Sequence, residues 1–98
     1  MEQYNFRKLD GLGRIPIHRA VRRKLAIETD SKLLATRVDT IVVLQRVDGH
    51  TASEDAICAV DSLGMITLPK EIRQTLGWND NDEIALYQTD NVIILKSA

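Results

Sequence analysis

The sequence predicts a mainly β unit with two short helices, built from two β-β-α-β-β repeats that cover one another. Three observations carry this reading. The chain repeats itself at an offset of 51: GLGRI around Gly13 returns as SLGMI around Gly64. Without gaps, the same offset sets Asp10 on Asp61, Leu12 on Leu63, Ile15 on Ile66, Arg22 on Arg73, Leu25 on Leu76, Asp39 on Asp90 and Leu44 on Leu95. One register held over that span reads as a duplication. Each repeat also ends in a β-branched run, IVVL or VIIL, just after a two-residue turn candidate, Asp39-Thr40 or Asp90-Asn91. That pattern reads as a hairpin. Finally, a repeat of about 43 residues is too small to bury both faces of its strands alone, whereas two can cover each other. The 98 residues therefore form one domain, 1–98, as an intrachain pseudo-dimer.

The elements follow in order. A short strand at residues 6–9 has its counterpart at 57–60. Each leads into a turn, Asp10-Gly-Leu-Gly13 or Asp61-Ser-Leu-Gly64. There the Asp carboxylate can accept from backbone N–H groups two residues on, and the Gly can take positive φ. Second strands at 14–17 and 65–68 come next. Pro16 lies inside the first of them and cannot donate to a ladder, so that strand is expected at an edge or locally distorted. Short helices come after these. Pro69 suits a first helical position, and Val21 with Leu25, like Ile72 with Leu76, share one face. Hairpins at 32–38 with 41–47, and at 83–89 with 92–97, close the repeats. The first repeat spans about 5–47 and the second about 56–97, and a polar linker at about 48–55 joins them.

Charge separates the repeats. Residues 1–50 hold ten Lys/Arg and six Asp/Glu, net +4, whereas residues 51–98 hold three and eight, net −5. The total of −1 hides this division. A basic first half suggests an anionic partner, and the alternative is that the halves attract each other. Composition is ordinary for a globular domain, with 44% hydrophobic and 28% charged residues. The single cysteine, Cys58, excludes an internal disulfide and a cysteine metal cluster, which fits a reducing, cytoplasmic setting. No apolar run is long enough to span a membrane, and MEQYNFRKLD lacks the apolar core of a signal peptide.

LDGLGRIPIHRAVRRKLAI and VDSLGMITLPKEIRQTLGW resemble the N-terminal DNA-binding domain of AbrB and SpoVT type transition-state regulators. The family pattern is approximately D-x-L-G-R-[IV]-x-I-P-x-x-x-R-x-x-L-x-I, followed by a hairpin such as DNDEIALYQTDNVIILK. The resemblance covers almost the whole chain, twice. It implies a swapped-hairpin β-barrel that binds duplex DNA. Antitoxins of the MazE type are close relatives that carry the same barrel and a toxin-binding tail. Family positions that contact DNA fall on Arg7 and Lys8 in the first strand, Arg14 after the glycine, and Arg22 and Arg23 in the helix. Arg19 and Lys24 extend that basic helix. In the second repeat the same family positions hold Cys58, Ala59, Met65, Arg73 and Gln74, so only Arg73 is kept. His18 stands where the pattern has its helix-starting proline.

Blander readings compete at several of these residues. Arg22, Arg23 and Lys24 near a helix C-terminus also favour the macrodipole or form a solvated face. Arg73 has two open readings, DNA contact or anchoring its helix to a carboxylate. Asp10 and Asp61 read as turn caps, Cys58 as a buried thiol and Trp78 as a packing residue. His18 and His50 lack a second ligand at metal spacing. The run Asp80 to Glu83 lacks the glycine and glutamate of a calcium loop. No metal and no cofactor is therefore expected. No catalytic constellation or phosphate-binding glycine loop is present, so an enzyme is not expected.

The expected function is a DNA-binding transcription regulator that uses the basic strand, turn and helix of the first repeat. One chain seems to offer half the basic surface of a true homodimer in sequence terms, so two chains are expected to associate on DNA. The alternative is an antitoxin-like or other protein-interaction module with a toxin partner. Against it stands the position of Ala98 directly after the last strand. A third reading is an assembly in which basic and acidic halves meet head to tail between chains.

Overall fold

A computed structural model describes residues 1–47 and 56–98. The linker expected at 48–55 and His50 lie outside the described residues. Among the described residues there are eight strands and two short helices: β1 Glu2–Lys8, β2 Arg14–Pro16, α1 Arg19–Lys24, β3 Lys32–Val38, β4 Ile41–Arg46, β5 Ile57–Ala59, β6 Met65–Thr67, α2 Lys70–Leu76, β7 Glu83–Thr89 and β8 Val92–Ser97. The chain is mainly β, as its patterning indicates. The hairpins fall at the expected residues. Asp39 (φ 53°) and Asp90 (φ 33°) take the positive φ that a tight two-residue turn requires. The first strand starts earlier than expected, at Glu2, and pairs through a bulge between Tyr4 and Arg7.

Six strands form one antiparallel sheet in the order β1-β7-β8-β4-β3-β5. The first strand of each half thus pairs with the hairpin of the other: β1 lies on β7, and β5 lies on β3. The remaining strands, β2 and β6, pair only with each other. In two ladders a residue faces its own counterpart at the offset of 51. Ile15 pairs with Ile66 in the β2–β6 ribbon, and Val43 pairs with Ile94 between β4 and β8.

The expected barrel does not close. β1 and β5 each have one hydrogen-bonded neighbour, and the β2–β6 ribbon is not part of the large sheet. The reason is local. The turns at Asp10–Gly13 and Asp61–Gly64 lead each chain segment out of the sheet, and the ribbon strands are three residues long. Pro16 also removes one ladder donor. Side-chain packing encloses the core instead. Matched positions fill it from both halves: Ile17 with Leu68, Ile27 with Trp78, Leu33 with Ile84, Val42 with Ile93, and Leu44 with Leu95, all at most 6% exposed. Burying such a side chain contributes about 1.5–3 kcal/mol, so this shared core is what holds the two halves together.

Candidate nucleic-acid interface

Each ribbon strand begins at a glycine turn built as its sequence indicates. The Asp10 carboxylate accepts from the backbone N–H groups of Leu12 (2.9 Å) and Arg14 (2.8 Å). Asp61 accepts in the same way from Leu63 and Met65, both at 2.9 Å. Gly13 and Gly64 both sit at φ +80°. Their carbonyls cross the ribbon: Gly13 accepts from Leu68 (2.9 Å) and Gly64 from Ile17 (3.0 Å). The two turns are therefore tied to each other's helix-entry residues.

A helix arginine lies on each turn, and it comes from the other half. A Cβ on Gly13 would stand 2.3 Å from Cζ of Arg73, and one on Gly64 would stand 2.6 Å from Cζ of Arg22. Only glycine leaves room for the guanidinium at such a close approach. Arg22 Nε donates to the Ile17 carbonyl (3.0 Å) and Arg73 Nε to the Leu68 carbonyl (3.1 Å). Of the two open readings of Arg73, the carboxylate anchor is corrected: its anchor is a backbone carbonyl, because Leu68 precedes α2 just as Ile17 precedes α1. The other guanidinium nitrogens of both residues make no hydrogen bond among the described residues.

This crossing splits the cations that the sequence groups together. Arg14 and Lys8 lie by the first turn with Arg73. Arg14 Nε is paired with Asp10 Oδ2 at 2.6 Å, and Lys8 lies opposite Glu83 on β7. Asp80 also approaches that turn, 3.7 Å from where a Gly11 Cβ would be. The α1 cations Arg19, Arg22 and Arg23 belong to the second turn, where Met65 replaces Arg14. Arg7 is half-buried and close enough to His18, the residue that begins α1, for its charge to act on that ring. Arg19, Arg23 and Lys8 are exposed and have no ion pair or side-chain hydrogen bond among the described residues. Lys24 is engaged: its Nζ donates to Glu2 Oε1 at 2.6 Å and to Tyr4 Oη at 3.3 Å. That pairing raises the Lys24 pKa and lowers that of Glu2.

Three features escape sequence reasoning. The seats on Gly13 and Gly64 are one; their signal is that both the glycine and the helix arginine recur at the same offset. Leu12 and Leu63 are another, 66% and 70% exposed at the turn tips. Arg46 is the third, donating Nη1 to the Ala26 carbonyl at 2.8 Å at the end of α1. His18 begins α1 with φ −53° and ψ 138°, nearly the backbone of Pro69 at −55° and 134° before α2. Its ring packs on Tyr4, 5.3 Å between centroids, and both ring nitrogens are buried without a hydrogen bond. Burial first, and the Arg7 charge second, lower its pKa. Cys58 occupies the buried position that corresponds to Arg7, and burial pushes its thiol up to about 11.

No helix among the described residues is long and apolar enough to cross a membrane. No curated protein and no solved structure matches the chain. A family does match its second half: residues 59–98 fit the family described as antidote-toxin recognition MazE, bacterial antitoxin.

Proposed function

We propose that this chain is a DNA-binding transcription regulator of the AbrB/SpoVT type, not an enzyme, working in the cytoplasm without a cofactor. It is two tandem repeats folded as an intrachain pseudo-dimer. The single observation that carries the reading is the crossed seating of Arg22 and Arg73. Each is fixed by one inward hydrogen bond on the opposite turn, which leaves the rest of its fork open to solvent. A pre-positioned planar fork suits phosphate and guanine edges. Arg7, Lys8, Arg14, Arg19 and Arg23 add cations around the two turns. Lys24 contributes least, since Glu2 already neutralises it. The resident pairs of Arg14 with Asp10 and Lys8 with Glu83 make the second turn the stronger anion site, although it belongs to the acidic half.

Two chains on one DNA belong to this proposal, for a reason of size. The molecule measures 30 × 28 × 26 Å, less than the roughly 34–36 Å between half-sites one helical turn apart. Fluorescence anisotropy with labelled duplex DNA tests the reading. With about five phosphate contacts, log K falls against log[salt] with a slope of about −4 to −5. A salt-independent titration contradicts it.

The second reading is an antitoxin-like protein-interaction module, and the match of residues 59–98 favours it. It predicts that residues 59–98, rather than the α1 cations, respond when a protein partner binds. Hydrogen exchange on the complex separates the two readings.

A further inference from the structure

The helix C-termini sit beside matching grooves, and only one of these is filled. The groove at the end of α1 is lined by Lys24, Leu25, Ala26, Gln45, Arg46 and Asn91, and its volume is about 380 Å³. The groove at the end of α2 has Thr75, Leu76, Gly77 and Ser97 at the corresponding positions, and its volume is about 760 Å³. The filler of the first groove is the Arg46 guanidinium, which donates to the terminal carbonyls of Ala26 (2.8 Å) and Leu25 (3.5 Å). Ser97 stands in its place beside α2 and is too short to reach. Asn79 Nδ2 serves the Gly77 carbonyl at 3.1 Å, but no side chain among the described residues donates to the Leu76 carbonyl.

The larger groove also carries the charge that its twin supplies from within. Asp39, Asp82 and Glu83 line it, against one cation, Arg37. Arg37 is held at the hairpin turn, with Nη1 on the Asp39 carbonyl at 2.8 Å. Phe6, 47% exposed, adds a flat apolar wall. We propose that this groove receives an arginine side chain from a basic segment of a protein partner, its guanidinium taking the place that Arg46 fills beside α1. The chemistry selects arginine. A planar fork can serve a helix-end carbonyl and a carboxylate together, and it can stack on Phe6. The partial negative charge at the end of α2 favours a cation at this spot. An ammonium group lacks the fork and the stacking face, and an acidic segment meets three carboxylates.

The test is an NMR titration of the whole protein with acetyl-Ala-Arg-Ala-amide, against the lysine and glutamate analogues. One side chain in an open groove binds at about the millimolar level. Saturable shifts are expected at the amides of Leu76, Gly77 and Ser97 and at the Trp78 indole, several-fold weaker with lysine and absent with glutamate. Ser97→Arg is expected to remove the response by filling the groove, and Glu83→Gln to weaken it several-fold without changing the groove's shape. Shifts of equal size with the lysine peptide, a response spread away from α2, or an undiminished response in both variants overturns the proposal.

Discussion

Gly13 and Gly64 do two jobs each, and the second is the more demanding. Positive φ alone costs a side chain about 1–2 kcal/mol, and here a Cβ would also strike the arginine on top of it. Gly13→Ala and Gly64→Ala are therefore expected to lower stability by more than the φ cost alone. Arg73→Ala should restore part of the loss for Gly13→Ala, and Arg22→Ala part of that for Gly64→Ala. Urea unfolding of the four single variants and two pairs measures the coupling; strict additivity contradicts the seating. The Asp caps and the φ of these glycines were legible in the sequence, because both are settled within four residues. The seated arginine was not, because it lies sixty residues away in the chain and only the fold brings it in. Asp10 adds an acid limb. The Arg14 backbone N–H, above all, holds its carboxyl below the ordinary 3.8. Its stabilisation is complete above that value and is lost as pH falls through the folded-state value. Cys58, with its thiol raised to about 11 by burial, is expected to resist alkylation at pH 8 until the protein unfolds. Native-state labelling at the rate of a free thiol contradicts that burial.

Helix entry shows what one residue type can replace. His18 and Pro69 hold nearly the same backbone angles, so proline fits at position 18 without strain. His18→Pro is expected to fold and to gain up to about 0.4–1 kcal/mol from a less flexible unfolded chain, offset by the lost packing on Tyr4. It should also remove a pH dependence. The folded-state pKa of His18 lies below its ordinary 6.5, so the stability tied to the neutral ring is present above 6.5 and is lost as pH falls below it. Thermal melts of wild type and His18→Pro between pH 5 and 8 read this; parallel curves contradict it. The hairpins were legible as elements, since alternation and turn residues fix them locally. Barrel closure was not. It depends on whether the β2–β6 ribbon bonds to the sheet edges, and that turns on the exit angle at two turns and on the missing donor of Pro16.

Across the whole molecule, charge is redistributed relative to the sequence. The halves differ by net +4 and −5, but crossed helices put Arg22 on the turn of the acidic half and Arg73 on that of the basic half. The question of why the second repeat lost its cations thus has a spatial answer: its turn borrows those of α1. Sequence reading found the cations but assigned them to one continuous surface, because neighbours in the chain were taken as neighbours in space. The size argument leads to a stoichiometry. Light scattering on DNA carrying two half-sites one turn apart is expected to show two chains, and a single bound chain contradicts it.

The central claim is that cations from both halves serve one DNA-binding surface. It is tested most directly by anisotropy titrations of duplex DNA with wild type, with Arg14→Ala/Arg22→Ala/Arg23→Ala, and with Arg73→Ala, each first shown to be folded by circular dichroism. The account predicts that the triple variant loses most of the affinity. It also predicts that Arg73→Ala alone weakens binding and reduces the salt slope by about 1. Unchanged affinity in the triple variant, or an unchanged slope in Arg73→Ala, contradicts it.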